Sequence, residues 1–479
     1  MNRKKLPIGI QTFKDIRDTN SNYVYIDKTG IAFQLIENGK YYFLSRPRRF
    51  GKSLFLSTLS EIFKGHKKYF EGLYIYDKWN WDETFPVVEI SFASGNFSND
   101  ENIKEVITEL LRSNSNKLGL HFEDIDHPQP GISLKRLIEA AYEKYNQKVV
   151  VLIDEYDKPV LDNIGNEDKT TSYHARELLR DFYSAIKDSD RYLRFVFLTG
   201  VSKFSKMNLF SGLNNLEDIT IDDRYATITG YTHNDLKENF PDYTDGVDLE
   251  KVKRWYNGYN YFGDPIYNPF DILLFFSKGG EYNNYWWETG NPSFLIEILK
   301  QGKHYLPDLE NIEVSREVLN AFDVGQIDIV ALLWQTGYLT FDKKIQLLDE
   351  VNYKLKVPNL EIQKSLNTLF FNYLTNLDRG YGTKKRQIIG FLLKNDFNAF
   401  QQELKSLFAA IPYDNYVNNN ISVYEGYYAS VLFAFLSSLG FEVRTEDHTN
   451  LGRVDMTMIG PDSIFIIEFK VDMPGESAI

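Results

Sequence analysis

The chain has 479 residues, carries a net charge of −13 and contains no cysteine. The length predicts two or three domains, and the missing cysteines exclude a disulfide framework and a thiolate zinc site. Because so acidic a chain does not attract polynucleotide by its bulk charge, any contact with nucleic acid must be local or bridged by metal ions. No apolar run approaches the roughly 18 residues of a membrane helix, and the first residues do not form a signal peptide. We therefore expect a cytoplasmic protein without membrane contacts.

Four short apolar runs in residues 1–230 predict strands. They are YYFL at 41–44, VVEISF at 87–92, VVVLID at 149–154 and FVFLTG at 195–200. Such continuous runs are typical of strands that are buried on both faces of a parallel sheet. The amphipathic stretches between the runs predict helices, so this part of the chain is expected to be an α/β domain with helices on both faces of the sheet.

The rest of the chain divides into three further predicted segments. Residues 231–300 are crowded with Gly, Asn, Pro and Tyr and predict a loop-rich lid extension with one helix at PFDILLFFSKG. Residues 301–415 predict a mainly helical linker domain. Residues 416–479 predict a small α/β domain, with an apolar helix followed by three short strands.

The segment RPRRFGKS, residues 46–53, follows the first predicted strand and opens a helix. Backbone N–H groups at a helix start attract phosphate, and Gly51 would let the backbone approach a ligand closely. Lys52 would reach the β- and γ-phosphates and Ser53 would hold Mg²⁺. Arg46 stands where such a loop normally has its first glycine. The alternative is a helix cap with a solvated lysine.

Arginines give this loop an unusual composition. Guanidinium groups bind phosphate oxygens in a bidentate way, whereas the alternative role is to pair with nearby acids and order the loop. The sequence leaves both roles open for each arginine. The predicted nucleotide-binding residues are Arg46, Pro47, Arg48, Arg49, Phe50, Gly51, Lys52 and Ser53.

Two acids, Asp154 and Glu155, end the buried run at 149–154, where packing gives no reason for them. In a nucleotide hydrolase, Asp154 would hold Mg²⁺ through water and Glu155 would polarise the attacking water. Thr199, at the end of the fourth run, would contact the γ-phosphate or the attacking water, because ligands sit at the carboxyl ends of parallel strands. The alternative for the acids is a solvated strand end.

A hairpin is predicted near the end of the chain, with strands at 453–459 and 463–470 joined by a GPD turn. Antiparallel pairing about this turn places Asp455 opposite Glu468, and Lys470 shares a face with Glu468. Because like charges directly opposite each other are destabilising, a divalent cation is expected between the two acids, Mg²⁺ or Mn²⁺. The alternative is a solvated face on which Lys470 bridges the acids.

The motifs RPRRFGKS, LIDEYDKPV (152–160) and LTGVSKFS (198–205) resemble those of the bacterial AAA-ATPase-like family, which carries a C-terminal PD-(D/E)xK nuclease-like domain. LPIGIQTFKDIR and YVYIDKTG upstream extend the resemblance, which covers most of the chain. It implies a P-loop NTPase sheet of the ASCE type and a restriction-endonuclease-like C-terminal domain. The family loop has arginine in place of the first glycine, so Arg46 fits its pattern.

The resemblance also implies an activity and its residues. ATP and Mg²⁺ are the implied cofactors, with Glu155 and Thr199 at the ATPase site. Asp455 and Glu468 would be nuclease metal ligands and Lys470 the catalytic lysine. Glu425 would be a helix-borne metal-binding acid, although the dipole at a helix start favours an acid there anyway.

A nuclease domain of this type continues with a further helix, so we expect this one to be incomplete at its C-terminus. The expected function is ATP binding and hydrolysis coupled to a metal-dependent nuclease that acts on DNA or RNA. The alternative is an ATP-dependent regulatory or nucleic-acid-binding switch with an inactive nuclease-like domain. A homo-oligomer is also expected, because ATPases of this class often take an arginine from a neighbouring subunit.

Overall fold

The computed structural model describes residues 3–121, 123–163, 170–203, 213, 215–287, 312–320, 322–323, 326–375, 381–409, 425–448, 453–460 and 463–468. The chain forms two compact units. The first comprises Met1–Trp286 with Glu313–Leu355, and the second comprises Trp287–Ile312 with Lys356–Ile479. The four segments expected from the sequence stay a prediction, and one boundary between the units, at Leu355 and Lys356, falls inside the expected segment 301–415.

The described helices are α1 Phe13–Arg17, α2 Thr29–Asn38, α3 Lys52–Phe63, α4 Asp100–Lys117, α5 Pro130–Tyr145, α6 Lys158–Leu161, α7 Thr170–Asp188, α8 His233–Asn239, α9 Pro241–Thr244, α10 Leu249–Tyr256, α11 Pro269–Ser277, α12 Arg316–Asn320, α13 Ile329–Thr336, α14 Leu360–Thr375, α15 Tyr381–Leu393, α16 Phe397–Ala409 and α17 Glu425–Ser438. The described strands are β1 Tyr41–Ser45, β2 Val87–Ser91, β3 Val149–Asp154, β4 Leu193–Gly200, β5 Glu217–Asp218, β6 Tyr231–Thr232, β7 Ile266–Tyr267, β8 Glu313–Ser315, β9 Phe322–Asp323, β10 Gln326–Ile327, β11 Thr340–Leu347, β12 Glu350–Lys356, β13 Glu442–His448, β14 Arg453–Ile459 and β15 Ile464–Ile467.

A five-stranded sheet in the order β2-β3-β4-β1-β5 organises the first unit. Every neighbouring pair in it is parallel. Four of its strands are those predicted from the apolar runs, and β4 lies between β1 and β3. Because parallel strands end at the same edge of a sheet, the ends of β1, β3 and β4 come together there. This edge positions the candidate nucleotide site.

Helices cover both faces of this sheet. Val150 and Leu152 of β3 belong to the core cluster that includes Leu59 of α3. Successive side chains of a strand point to opposite faces, so Val151 and Ile153 face away from α3. Helices α4, α5 and α7 pack against one another, and α4 and α5 also contact β2 and β3. The predicted α/β architecture with helices on both faces is confirmed.

The segment predicted as loop-rich contains more helix than expected. Four short helices, α8 to α11, occur between residues 233 and 277, and only the one at α11 was predicted. Three of them begin with a polar cap. Thr232 and Asp235 form a capping box, Asp248 accepts from the N–H of Lys251, and Asn268 caps α11. These capping residues are also turn residues, which explains why the sequence suggested loops.

The middle of the chain contains an antiparallel sheet that the sequence analysis missed. Its strands lie in the order β11-β12-β8, inside a region that is otherwise largely helical. In β12, Tyr353 and Leu355 are buried and their neighbours are more exposed. This alternation over EVNYKLK was the available signal. Among the described residues, no helix combines the length and the apolar character that crossing a membrane requires.

In the second unit, α14 packs against α17, and β13, β14 and β15 form an antiparallel sheet in that order. Gly440, with φ +96°, follows the end of α17, as its role as a helix stop predicts. The pairing of Met456 with Ile467 and of Ile459 with Ile464 confirms the predicted hairpin register. The described ladder ends at the Met456–Ile467 pair, one position before Asp455 and Glu468.

Candidate nucleotide and metal sites

The loop at 46–51 leaves β1 and enters α3 through a left-handed residue. Gly51 has φ +91°, a conformation that costs glycine little. The first hydrogen bond of the helix runs from the Phe55 N–H to the Gly51 carbonyl, 3.0 Å apart. No side chain among the described residues caps this helix start. The N–H groups of its first turn are therefore open to an anion.

Lys52 lies buried at this helix start, with 7% of its surface exposed. Its Nζ donates to the carbonyl oxygens of Arg46 and Pro47 at 2.9 and 3.0 Å. An ammonium group has three donors, so one remains for a phosphate oxygen. Burial lowers the pKa of Lys52, and the nearby charges of Asp154 and Glu155 oppose this effect. The lysine and the two acids therefore belong to one electrostatic site.

The acid pair lies at the end of β3. Asp154 is 8% exposed, and its Oδ1 accepts the Glu155 backbone N–H at 3.0 Å. Glu155 has φ +50°, which is unfavourable for a residue with a side chain. Burial raises the pKa of Glu155, and the charge of Asp154 adds to the effect. The surrounding structure thus holds a half-buried carboxyl in a strained turn beside Lys52.

Asp157 is a site residue that the sequence analysis did not single out. Only 1% exposed, it accepts the backbone N–H groups of Val201 and Ser202 at 3.1 and 2.6 Å, and the Ser202 hydroxyl at 2.5 Å. Burial raises its pKa, and the bonds from Ser202 oppose the rise. The third acid of the DEYD sequence was the available signal. Asp157 ties the turn after β3 to the turn after β4.

Thr199 lies inside the sheet. It is fully buried, and its hydroxyl donates to the carbonyl of Leu44 on the neighbouring β1 at 2.9 Å. Its proton is thus used between two strands in this structure, and its catalytic role stays a prediction. In the turn after β4, the Lys203 ammonium lies 2.6 Å from the Asp218 carboxylate.

Arg46 is almost completely buried, with 1% of its surface exposed. Its guanidinium donates to the carbonyls of Ser45 and Thr220 at 2.9 and 2.8 Å and lies 3.5 Å from the ring centre of Tyr261. Burial lowers the pKa of Arg46 to about 10. Of the two roles that the sequence left open, these contacts match the ordering of the loop, although through carbonyls and a ring instead of acids.

The other two arginines of the loop differ from Arg46. Arg48 is exposed, and its backbone carbonyl accepts from Asn268 and Trp286, both at 3.3 Å. Arg49 has φ +67° and its guanidinium lies 3.9 Å from the ring centre of Phe270. The segment around α11 therefore holds the loop backbone in place. It leaves the Arg48 side chain accessible to a ligand.

The remaining predicted loop residues support its shape. Pro47 is buried against Gly337, where an added Cβ would come within 2.8 Å of the proline ring. Phe50 is fully buried, with its ring 4.7 Å from that of Tyr259. Ser53 lies half-buried in the first turn of α3.

The predicted nuclease residues are only partly within the described chain. Asp455 lies half-buried on β14, and Glu468 is exposed immediately after β15. Extended by one position, the observed register places them opposite each other. Glu425 is the first residue of α17, and Lys470 lies outside the described residues. No cluster of three or more metal-ligating side chains occurs in the part of the chain that the structure describes.

Comparison with known proteins gives two matches to family models. Residues 7–210 match a predicted AAA-ATPase family, and residues 423–478 match the PD-(D/E)XK nuclease superfamily. The chain is 46% identical over 472 residues to an uncharacterized protein in the vnfD 5′ region of Azotobacter chroococcum mcd 1, covering 98% of this chain and 90% of the relative. No solved structure shows significant similarity.

Proposed function

Because the chain belongs to the predicted AAA-ATPase-like family with a PD-(D/E)XK nuclease domain at its C-terminus, we propose that it hydrolyses ATP and that nucleotide state controls a metal-dependent nuclease acting on nucleic acid. The observation that carries the ATPase half is the uncapped start of α3 with buried Lys52, electrostatically linked to Asp154 and Glu155. Lys52 suits the phosphates, Asp154 a divalent cation, and Glu155 the attacking water.

The roles at the ATPase site follow from the chemistry of these groups. The N–H groups after Gly51 and the free donor of Lys52 bind the phosphates. The Ser53 hydroxyl and the Asp154 carboxylate would hold Mg²⁺, which neutralises phosphate charge when bound. Glu155 accepts a hydrogen bond from the attacking water and polarises it. Its half-buried turn keeps the carboxylate from being fully solvated, which makes it a better proton acceptor.

The roles at the nuclease site rest on the family match and the hairpin register. Asp455 and Glu468 would hold Mg²⁺ or Mn²⁺, which polarises the phosphodiester and activates water. Lys470 would stabilise the charge that develops on the phosphorus oxygens, and Glu425 would add a carboxylate from α17. The oxygen donors of this set suit both metals.

Titrating the protein with ATP in the presence of Mg²⁺ measures its ATP affinity and tests the nucleotide site of the ATPase half. Lys52→Ala removes a charge-assisted contact and is expected to weaken ATP binding about 10- to 100-fold. Lys64→Ala is the matched control at the other end of α3, where the lysine pairs with Glu89, and it should bind ATP like the wild type. If Lys52→Ala binds ATP with the affinity of the wild type, the loop is not the nucleotide site.

A panel of single- and double-stranded DNA and RNA tests the nuclease half. The full chain is incubated with Mg²⁺ or Mn²⁺, with and without ATP. Asp455→Ala should cleave nothing while it retains ATPase activity. Glu442→Ala, an exposed acid of the same sheet that pairs with Arg444, is the control and should cleave normally. Cleavage that survives in Asp455→Ala would refute the assigned metal site.

The net charge of −13 favours a second candidate, an ATP-dependent regulatory or binding switch with an inactive nuclease-like domain. An acidic chain has little bulk attraction for a polynucleotide substrate. In the same panel, this candidate is supported if ATP binds but no substrate is cleaved with either metal.

A further inference from the structure

The end of α13 reaches the candidate nucleotide site from a part of the chain far from the site's motifs. Gln335 lies in the last turn of this helix and is only 3% exposed. Gly337 directly follows the helix, with φ +93°. Both belong to the first compact unit, but they lie well beyond residues 7–210, which carry the ATPase-family match. The surroundings of the site therefore include residues that the family match does not cover.

Gln335 holds the turn after β4. Its Oε1 accepts the backbone N–H of Lys203 at 2.9 Å, and its Nε2 donates to the carbonyl of Leu319 in α12 at 3.0 Å. The two preceding N–H groups of the turn, those of Val201 and Ser202, donate to Asp157. Side chains thus bind three successive N–H groups of this turn, and Gln335 ties the last of them to α12.

This turn in turn supports the backbone around Glu155. Tyr156, the next residue, donates its N–H to the carbonyl of Thr199 at 3.1 Å and its hydroxyl to the carbonyl of Ser202 at 3.0 Å. Glu155 itself has φ +50°, a conformation that persists only where the surrounding structure holds it. A shift of the turn at Lys203 is therefore expected to displace the Glu155 carboxylate.

Gly337 meets the other side of the site, the phosphate loop. A Cβ added at Gly337 would lie 2.8 Å from both Cβ and Cγ of Pro47, so the close approach of the two residues requires a glycine. The carbonyl of Pro47 accepts from the Lys52 Nζ at 3.0 Å. The end of α13 therefore packs against a residue that positions Lys52.

Two residues of one helix end thus contact the two sides of the site, the loop that holds Lys52 and the turns that hold Glu155. We propose that Gln335 and Gly337 are positioning residues of the ATPase that fix Glu155 relative to Lys52; this inference rests on the proposed ATP site. Gln335 acts on the side of the attacking water, and Gly337 acts on the side of the phosphates. Because a misplacement of about 1 Å can lower a rate about 100-fold, both contacts matter for turnover.

ATP hydrolysis and calorimetric ATP binding by the full chain test the role of Gln335. Gln335→Met keeps the length of the side chain and removes both hydrogen bonds, so kcat should fall about 10- to 100-fold while ATP affinity changes less than about threefold. Gln335→Glu keeps an acceptor for the Lys203 N–H and should recover part of the lost kcat. Asn114→Leu is the control, because it removes a buried amide that bonds Glu89 of β2. It should lose stability but keep the wild-type kcat.

The role of Gly337 has a matched control as well. Gly337→Ala places a methyl group against Pro47 and should weaken ATP binding about three- to tenfold, because the carbonyl that positions Lys52 shifts. Gly246→Ala carries a similar backbone strain, with φ +71°, but its added Cβ meets no atom of the described residues within 4 Å. It should bind ATP like the wild type.

The outcomes separate this inference from the ATPase function itself. If the wild type does not hydrolyse ATP, the proposed function fails, and the positioning roles fail with it. If the wild type hydrolyses ATP but Gln335→Met keeps its kcat, or if Asn114→Leu loses as much, only the positioning role is overturned. If circular dichroism shows that Gln335→Met does not fold, the comparison of Gly337→Ala with Gly246→Ala decides, and equal ATP affinities in these two variants would overturn the proposal.

Discussion

Arg46 occupies the position at which a phosphate loop usually has its first glycine, and its surroundings explain how a large side chain fits there. The guanidinium is buried against two backbone carbonyls and the ring of Tyr261. It fixes the start of the loop to Thr220, just after β5, while the open N–H groups lie at the other end of the loop, after Gly51. The contacts of Arg46 thus hold the start of the loop in place, where a glycine would leave the backbone flexible.

This arrangement predicts that Arg46→Ala acts mainly on stability. The substitution leaves buried carbonyls of Ser45 and Thr220 without donors, at about 1–3 kcal/mol for each unsatisfied group. We expect the free energy of unfolding, measured by urea denaturation, to fall by at least the cost of one such group. Arg48→Ala is the control, because its exposed side chain should change stability by less than about 0.5 kcal/mol. A stable Arg46→Ala protein with lost ATP affinity would instead assign Arg46 to phosphate.

Glu155 predicts a pH dependence of ATP hydrolysis. The carboxylate must be ionised to accept a proton, and burial raises its pKa. The value of kcat/KM should therefore fall as pH drops through this raised pKa, at a higher pH than the roughly 4.3 of an ordinary glutamate. Steady-state hydrolysis rates across the acid range measure it. An acid limb at or below the ordinary value would contradict the assignment.

The amide variant identifies the group behind that limb. Glu155→Gln keeps the size of the side chain and removes its base, so turnover should fall about 10²- to 10⁴-fold while ATP still binds. Glu143→Gln, on the exposed side of α5, should keep both the rate and the acid limb of the wild type.

At the scale of elements, the turns after β3 and β4 behave as one piece because Asp157 joins them. Its carboxylate accepts three hydrogen bonds from Val201 and Ser202. Glu155 lies two positions earlier in the same turn and has a strained backbone. We therefore expect Asp157 to act as a positioning residue that holds Glu155 at the edge of the sheet.

Asp157→Asn tests this role. All three donors bond the same carboxylate oxygen, Oδ2. The amide oxygen can replace it only as a neutral acceptor, so the bonds lose their charge assistance, which should cost about 1–3 kcal/mol of unfolding free energy. The value of kcat should fall more than ATP affinity, because Glu155 is displaced while the phosphate loop is intact. Ser202→Ala removes only the hydroxyl donor and should show a smaller loss of both stability and kcat. Normal turnover in Asp157→Asn would show that the clamp does not position Glu155.

Local sequence patterns predicted the elements whose signals are local. The buried runs located β1 to β4, and the GPD turn set the register of β14 and β15. The β11–β12–β8 sheet was missed because its alternating pattern is short and lies between segments whose patterns predict helices. The contacts of Arg46 with Thr220 and of Asp157 with Ser202 join distant positions of the chain. They lie at a parallel sheet, whose strands are joined by long crossovers, so no turn sets which residues meet there.

At the scale of the whole molecule, the two families matched by the chain lie at opposite ends of it. Residues 7–210 carry the ATPase-like match and residues 423–478 the nuclease match. The residues of the candidate nucleotide site fall in the first compact unit, whereas Asp455 and Glu468 fall in the second. Any effect of ATP on cleavage is therefore a coupling free energy between distinct sites.

Two ATPase-site variants separate the effect of bound ATP from that of its hydrolysis. Glu155→Gln binds ATP without turning it over, so with ATP it should cleave nucleic acid at least as fast as the wild type. Lys52→Ala binds ATP poorly and should stay at the rate seen without ATP. Typical couplings of about 1–3 kcal/mol predict a difference of roughly 5- to 150-fold between the two variants. Initial cleavage rates with Mg²⁺, at an ATP concentration that saturates Glu155→Gln but not Lys52→Ala, measure it. Equal rates in both variants would mean that bound nucleotide does not control the nuclease.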